Sequence, residues 1–218
     1  MPYTGKVTVS GPADVHELAD LMISKAAVGP MDNNAYLLRC RATGEQLLID
    51  AANDAATLLH LIGSDGVTGV LTTHRHGDHW QALEEVVAAT GARTYAGRAD
   101  AEGIPVPTDV LLDDGDTVTV GACRLTARHL AGHTPGSVAL VYDDPHGHPH
   151  LFTGDCLFPG GVGNTFGDAG AFASLLHDVE TKIFGPLPDE TWVYPGHGAD
   201  TTLGAERPHL EEWRARGW

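Results

Sequence analysis

The chain has 218 residues, which is enough to bury a substantial core in one large domain or two small ones. Hydrophobic residues make up 42% and charged residues 19%, a balance that excludes an intrinsically disordered chain. The formal net charge is -16, and an acidic surface of this kind disfavours nucleic acid as a partner.

The cysteine pattern and the hydropathy pattern favour a cytoplasmic protein. Three scattered cysteines are too few for a disulfide framework. The first ten residues lack the apolar stretch of a signal peptide, and no window reaches the about 18 apolar residues of a membrane span. We therefore expect a reduced, cytoplasmic protein that acts on a small molecule and binds neither membrane nor nucleic acid. The sequence leaves the oligomeric state open.

Apolar periodicity and turn residues predict the elements of the first half. In chain order these are strands at 36–40 and 46–50, a helix at 54–62 that ends at Gly63, a strand at 66–72, a helix at 80–90 that ends at Gly91, and a strand at 94–96.

The second half is richer in predicted strands. Its predicted elements are strands at 117–120, 123–129, 137–142 and 150–153, a helix at 172–183, a strand at 192–194 and a final helix at 210–216. Two strand-rich halves with their own helices predict two sheets packed face to face with helices outside. We interpret residues 1–218 as a single domain.

Four possible metal ligands follow the strand predicted at 66–72. His74, His76, Asp78 and His79 lie within six positions. In an extended segment residues two apart point the same way, so His74 and His76 can hold one ion, while Asp78 and His79 can face a second. Asp78 alone is also explained as a helix cap, and a lone histidine as a solvated loop residue. Four such side chains together indicate a metal site.

Three further candidates stand at the ends of later apolar runs. His133, Asp155 and His197 are each flanked by glycine or proline. Such loops let the backbone bend so that one side chain points into a cleft. Alone, each is an ordinary turn residue, but with the first cluster they complete a set of seven ligands.

These motifs resemble the metallo-β-lactamase superfamily. The His-x-His-x-Asp-His segment, then a histidine, a Gly-Asp and a Gly-His, match its pattern in order over roughly residues 20–205. The resemblance implies an α/β fold, a four-layer αβ/βα sandwich with metals at one edge of the two sheets. It also implies a first metal held by His74, His76 and His133, a second held by Asp78, His79 and His197, and a bridge formed by Asp155.

The resemblance further implies two divalent metal ions, zinc first, with iron or manganese as alternatives. In that pattern the two metals share a hydroxide, which is a nucleophile at neutral pH. Asp78 and Asp155 are therefore the candidate catalytic residues.

Within the superfamily, the chain looks most like glyoxalase II and its short relatives. The segments that carry this likeness are 131–137, 153–158, 195–198 and 201–204. The implied reaction is hydrolysis of a small-thiol thioester, and a thiolate leaves without a strong general acid. Phe158 and Asn164 are the candidate substrate-binding residues.

Two departures from glyoxalase II bear on the substrate. Only 21 residues follow His197, so we expect the helical C-terminal domain of glyoxalase II to be missing. Asn164 stands where the family tends to carry a basic residue, and it cannot pair ionically with a carboxylate. We therefore expect a carrier thiol other than glutathione.

The motifs leave other functions open. One alternative is a persulfide dioxygenase with a single iron, which shares the fold and most of the ligands, and another is a lactonase or β-lactamase. A degenerate binding module would be expected to have lost ligands. Outside the set of seven, we expect His146, His148 and His150 to form a solvated loop, and Cys156 to be a small buried residue.

Overall fold

Two β-sheets form the centre of the protein, and this computed structural model describes residues 2–217 of the chain. The first sheet has seven strands in chain order: β1 (Asp14–Glu17), β2 (Leu21–Val28), β3 (Asn33–Cys40), β4 (Gln46–Ile49), β5 (Gly69–Thr72), β6 (Arg93–Gly97) and β7 (Val110–Leu112). Strands β1 to β4 pair antiparallel, and β4 to β7 pair in parallel.

The second sheet begins with β8 (Thr117–Val120), β9 (Cys123–His129), β10 (Val138–Tyr142) and β11 (His150–Gly154). The chain then forms a separate two-stranded ribbon, β12 (Leu157–Phe158) and β13 (Gly161–Val162), and returns to the sheet with β14 (Trp192–Pro195) and β15 (Thr201–Thr202). In this sheet β11 pairs in parallel with β14, and the other pairs are antiparallel.

Helices cover the outer faces of both sheets. Within residues 2–217 the α-helices are α1 (Ala55–Ile62), α2 (Leu83–Thr90), α3 (Ala169–Asp178), α4 (Leu203–Glu206) and α5 (Leu210–Arg216). A π-helical segment, Val179–Phe184, continues α3. None of the helices in the described part of the chain is long and apolar enough to cross a membrane.

Buried apolar side chains separate the layers. Between the sheets the core includes Ile23, Leu38, Leu125 and Leu140. On the outer face of the first sheet, α1 and α2 contribute Leu58 and Val86, and on that of the second sheet, α3 and α5 contribute Leu175 and Trp213. The layers therefore run helix, sheet, sheet, helix, which confirms the predicted four-layer sandwich.

Several predicted boundaries are wrong for local reasons. The helix predicted from residue 80 begins at Leu83, because Gly77–His79 forms a 3-10 turn and Ala82 N donates to Ala51 O. The helix predicted from residue 172 begins at Ala169, because the Asp168 side chain accepts the first free backbone N–H groups. The strand predicted from residue 66 begins at Gly69. The single-domain interpretation stays a prediction.

The prediction of a solvated loop is wrong for His150. This residue begins β11 and is buried, and its Nδ1 lies 2.9 Å from the Tyr194 hydroxyl. The same hydroxyl lies 2.8 Å from Nδ1 of His16. Burial, with His148 and His16 close by, lowers the pKa of His150 to about 3. The folded protein therefore keeps this imidazole neutral.

Because His150 is neutral in the folded protein, we expect the free energy of unfolding to decrease in acid. Between its ordinary pKa of 6.5 and about 3, the unfolded chain binds a proton that the folded chain does not, so the unfolding free energy falls as the pH falls. In His150→Gln we expect urea unfolding to show a pH slope smaller by up to about 1.4 kcal/mol per pH unit in this range. The exposed His60→Gln is the control and should keep the wild-type slope. An unchanged slope in His150→Gln would contradict the prediction.

Candidate metal centre

The predicted ligands meet at one edge of the two sheets because they stand at strand ends. The segment 74–79 follows β5, and the loop that carries His133 joins β9 to β10. Asp155 follows β11, and His197 follows β14, the parallel neighbour of β11. The carboxyl ends of parallel strands meet at the same edge, which places the loops of Asp155 and His197 side by side.

Three imidazoles of the first predicted group point their nitrogens at one another. Nε2 of His133 lies 2.9 Å from Nδ1 of His76 and 3.3 Å from Nε2 of His74. Nitrogen ligands about 2.0–2.1 Å from a tetrahedral ion lie roughly 3.3 Å apart. The spacing of these three nitrogens therefore suits a single metal ion.

The second predicted group has the same kind of spacing. Oδ2 of Asp78 lies 3.5 Å from Nε2 of His79 and 3.3 Å from Nε2 of His197. Asp155 lies between the two groups, with Oδ2 3.7 Å from Nε2 of His133 and 3.5 Å from Nε2 of His197. One carboxylate is thus within reach of ligands from both groups.

Two buried atoms of the cluster need a cation. Nε2 of His79 and Oδ1 of Asp155 lie 3.4 Å apart, and both are buried without a hydrogen-bond partner. A buried polar atom left in this state costs about 1–3 kcal/mol. A metal ion in contact with both would remove that cost, so the residues present fit a metal centre.

Hydrogen bonds on the far side of the rings fix which nitrogen faces the cluster. Nδ1 of His133 donates to the Asn164 carbonyl at 2.8 Å, and Nδ1 of His197 donates to the Met31 carbonyl at 3.0 Å. Because a carbonyl can only accept, each Nδ1 carries the hydrogen, and in the neutral ring Nε2 presents its lone pair inward.

Asp50 orients the ligand segment and was not predicted from the sequence. Its Oδ1 accepts from Thr73 N at 2.7 Å, and its Oδ2 accepts from the Thr73 hydroxyl and lies 2.8 Å from Nδ1 of His79. The signal that was missed is a carboxylate directly after the apolar strand β4, which pairs in parallel with β5.

Asp100 connects the two loops of the first group and was also missed. This buried carboxylate accepts from Arg75 N at 3.0 Å, from the Thr134 hydroxyl and from Gly136 N at 2.9 Å. It therefore holds the backbone between His74 and His76 against the loop of His133. We find no sequence signal for this role.

The carboxylates of the cluster favour a positive charge next to them. Burial opposes ionisation of Asp155, but interactions with the His197 and His79 side chains outweigh it and keep the pKa of Asp155 well below its usual range. Burial opposes protonation of His79, but the carboxylates of Asp50 and Asp155 raise its pKa to about 10. Burial and neighbouring imidazoles hold the pKa of His74 well below its ordinary value, which keeps that ligand neutral.

Two glycines allow the chain to close around Asp155. A Cβ atom on Gly163 would collide with the Asp155 carbonyl, and one on Gly196 would collide with Oδ1 of Asp155. Only glycine therefore fits without a clash at position 163 of the Gly-x-Gly segment and at position 196 of the Pro-Gly-His segment.

A buried ion pair holds the loop of His197. Nζ of Lys25, fully buried in β2, donates to the Gly198 carbonyl at 2.8 Å, to the Gly5 carbonyl at 2.8 Å and to Asp200 at 2.5 Å. Asn34 donates to the same Gly198 carbonyl at 3.0 Å. Hydrogen bonds from side chains of the first sheet therefore hold this loop in place.

The two predicted substrate-binding residues lie at different places. The Phe158 ring borders the second group, 6.4 Å from the His197 ring. Asn164 holds His133 through its carbonyl, and its side-chain Oδ1 accepts from Phe166 N at 2.7 Å. Their substrate contacts stay predictions. Cys156 is a small buried residue, as expected.

The family model of the metallo-beta-lactamase superfamily matches residues 28–197 of the chain. The curated relatives include a hydroxyacylglutathione hydrolase of Fuscovulum blasticum, 39% identical over 76% of this chain and 62% of its own length. The chain therefore spans less than two thirds of that relative.

Solved structures agree with this assignment. A B3 metallo-beta-lactamase, BLEG-1, is 31% identical with a TM-score of 0.73, over 88% of this chain and 99% of its own. TTHA1623, solved in a di-iron-bound form, is 32% identical with a TM-score of 0.68, over 84% of this chain and 96% of its own. With the matched segment covering more than half of the chain, the fold and the ligand cluster lead to one conclusion: this protein belongs to the metallo-beta-lactamase superfamily.

Proposed function

We propose that this member of the superfamily is a two-metal hydrolase that cleaves a thioester of a small thiol. The observation that carries the proposal is the position of Asp155, within 3.7 Å of His133 from one ligand group and 3.5 Å of His197 from the other. A shared carboxylate is the arrangement of a two-metal hydrolytic site. The hydroxyacylglutathione hydrolase among the relatives supports the thioester.

The proposed ions are zinc, since imidazole and carboxylate suit it, and the di-iron form of TTHA1623 makes iron the first alternative. When bound, such ions supply Lewis acidity and lower the pKa of water towards about 7. The proposed partner is a small-molecule substrate, and a cytoplasmic location stays a prediction.

The protein's own residues would order the reacting groups. Asn33 donates to Oδ2 of Asp78 at 2.9 Å, which fixes that carboxylate beside His79 and His197. Asp155 stays ionised because its pKa is low. Asp78 is therefore held in one orientation and Asp155 in one charge state, which lowers the reorganisation needed during the reaction.

Apolar rings border both ligand groups. Phe158 lies beside His197, and Phe166 lies 5.8 Å from the His76 ring. These walls suit the apolar atoms on either side of a thioester. Its sulfur leaves as a thiolate, whose parent pKa is near 8.5, so departure needs no added proton donor, whereas an amine leaving group needs one.

The proposal predicts metal content and substrate preference together. We expect about two metal equivalents in the purified protein and faster turnover of a thioester than of a matched lactone, a β-lactam or a persulfide. Metal analysis by mass spectrometry and a rate panel at equal substrate concentrations measure both. One iron equivalent with oxygen consumption on the persulfide would instead favour a dioxygenase, and preferred β-lactam turnover would favour a lactamase.

Removal of the shared carboxylate should affect both metals. In Asp155→Ala we expect metal content and thioester turnover to fall together, with turnover reduced roughly 100-fold or more. The exposed Asp143→Ala is the matched control and should keep both. Full metal content with full activity in Asp155→Ala would refute the bridging role.

Loss of the Asp50 carboxylate should weaken metal binding less than loss of the Asp155 carboxylate. Asp50→Asn removes one acceptor oxygen from Thr73 and His79, so we expect metal affinity to fall about 10–100-fold, measured by competition with a chelator. Asp143→Asn serves as the control, and circular dichroism checks that both variants fold. Wild-type affinity in a folded Asp50→Asn would show that the carboxylate does not orient His79.

A further inference from the structure

A cavity of about 560 Å³ opens beside the first ligand group. Its walls include His133 and Pro135 from one loop, Phe166 and Asp168 from another, and Ser174 of α3. Arg75, which stands between His74 and His76 in the chain, completes it. The volume lies in the range of small-molecule sites, and His133 both lines the cavity and belongs to the first ligand group.

Arg75 lines this cavity, and its guanidinium donors are not hydrogen-bonded to any described residue. Its guanidinium is about half exposed, with Nε 3.9 Å from Oδ1 of Asp100, and within residues 2–217 it donates no hydrogen bond. Asp100 already accepts from the backbone of Arg75 and Gly136 and from the Thr134 hydroxyl. The positive charge of Arg75 is therefore only weakly engaged by the protein.

The rest of Arg75 is held in place. Its backbone nitrogen donates to Asp100, and its carbonyl accepts from Nε1 of Trp80 at 2.8 Å. Its side-chain carbons lie against Gly103, where an added Cβ would meet Cδ of Arg75 at 2.9 Å. A fixed stem with free donors is a preorganised arrangement for binding a ligand.

Phe166 forms the apolar wall of the same cavity under backbone strain. Its φ is 55°, in the left-handed region that a bulky residue rarely adopts, and 71% of its surface is exposed. Its ring lies 5.8 Å from His76 and 6.1 Å from His133. Contact with a bound substrate would account for a strained, exposed aromatic residue at this place.

The charge pattern decides what the cavity accepts. Arg75 is the one lysine or arginine among the described residues that line it, in a chain of net charge -16. The one carboxylate among the described residues that line the cavity, Asp168, accepts at Oδ1 from the backbone N–H groups of Gly170 and Ala171. A guanidinium fork binds planar carboxylate or phosphate oxygens well.

We propose that Arg75 is a specificity-determining residue, and that the substrate carries an anionic group, carboxylate or phosphate, which Arg75 binds beside the metal centre. This inference rests on the proposed thioesterase function for its reaction, although the binding site itself does not depend on it. Because Arg75 would bind the substrate away from the reacting carbonyl, its loss should raise KM more than it lowers kcat.

Paired substrates test the proposal. S-acyl N-acetylcysteine and S-acyl N-acetylcysteinamide differ only in a carboxylate, and S-acyl pantetheine with or without its 4′-phosphate differs only in a phosphate. We expect the wild type to prefer the anionic member of at least one pair, and Arg75→Met to lose roughly 10- to 100-fold of that preference, mainly through KM. The pair with the larger effect identifies the anion.

Variants and binding measurements separate the possible failures. Arg75→Lys should keep part of the preference, and Arg41→Met, which removes a similarly exposed arginine paired with Glu17, should keep all of it. Metal content should match the wild type in all three. No preference in the wild type, or an undiminished preference in Arg75→Met, would overturn the proposal.

If no thioester is hydrolysed, calorimetry with the corresponding S-alkyl thioethers still decides the anion site. Tighter binding of the carboxylate or phosphate thioether by the wild type, abolished in Arg75→Met, would support Arg75 while the thioesterase proposal fails. Equal binding of charged and neutral thioethers would overturn the role of Arg75.

Discussion

The crowding of seven polar side chains at one partly buried edge is the constraint on which the site depends. Imidazole nitrogens and carboxylate oxygens lie 2.9 to 3.7 Å apart within the cluster. Without a cation such an arrangement is unfavourable, because buried polar atoms then lack partners. The surrounding structure therefore has to hold these side chains close together. Asp50, Asp100 and the carbonyls of Met31 and Asn164 do this by bonding the ligand loops from outside.

The centre also joins the two sheets. Val138 N of the second sheet donates to the Thr73 carbonyl after the first sheet at 2.9 Å, and Asn34 N of the first sheet donates to the Gly196 carbonyl at 2.8 Å. Ligands from both sheets thus meet across hydrogen bonds that also hold the sheets together. Fold stability and site geometry consequently share the same contacts, and a change in sheet packing changes the distances between ligands.

The convergence of the seven candidate ligands was predictable because residue type indicates which side chains can bind a metal, and strand ends indicate where such side chains meet. Strand β2 was not predicted, because Ser24 and Lys25 interrupt its apolar pattern, and only the tertiary structure supplies Asp200 as the partner of that lysine. His150 was misjudged because its neighbours His146 and His148 have turn chemistry, while the hydroxyl that it meets comes from the distant Tyr194. Contacts between residues far apart in the chain leave no local signal in the sequence. The candidate ligands could therefore be predicted, but the residues that support them could not.

The Lys25–Asp200 pair makes the His197 loop a rigid template. If the loop swung away, Lys25 would lose its bonds to Gly198 and Asp200 in the protein interior, and an unpaired buried charge costs several kcal/mol. The conformational entropy of ordering this ligand is therefore lost during folding and not during metal binding. An ion bound by Asp78, His79 and His197 would accordingly not have to immobilise this loop, and its affinity would carry no such cost.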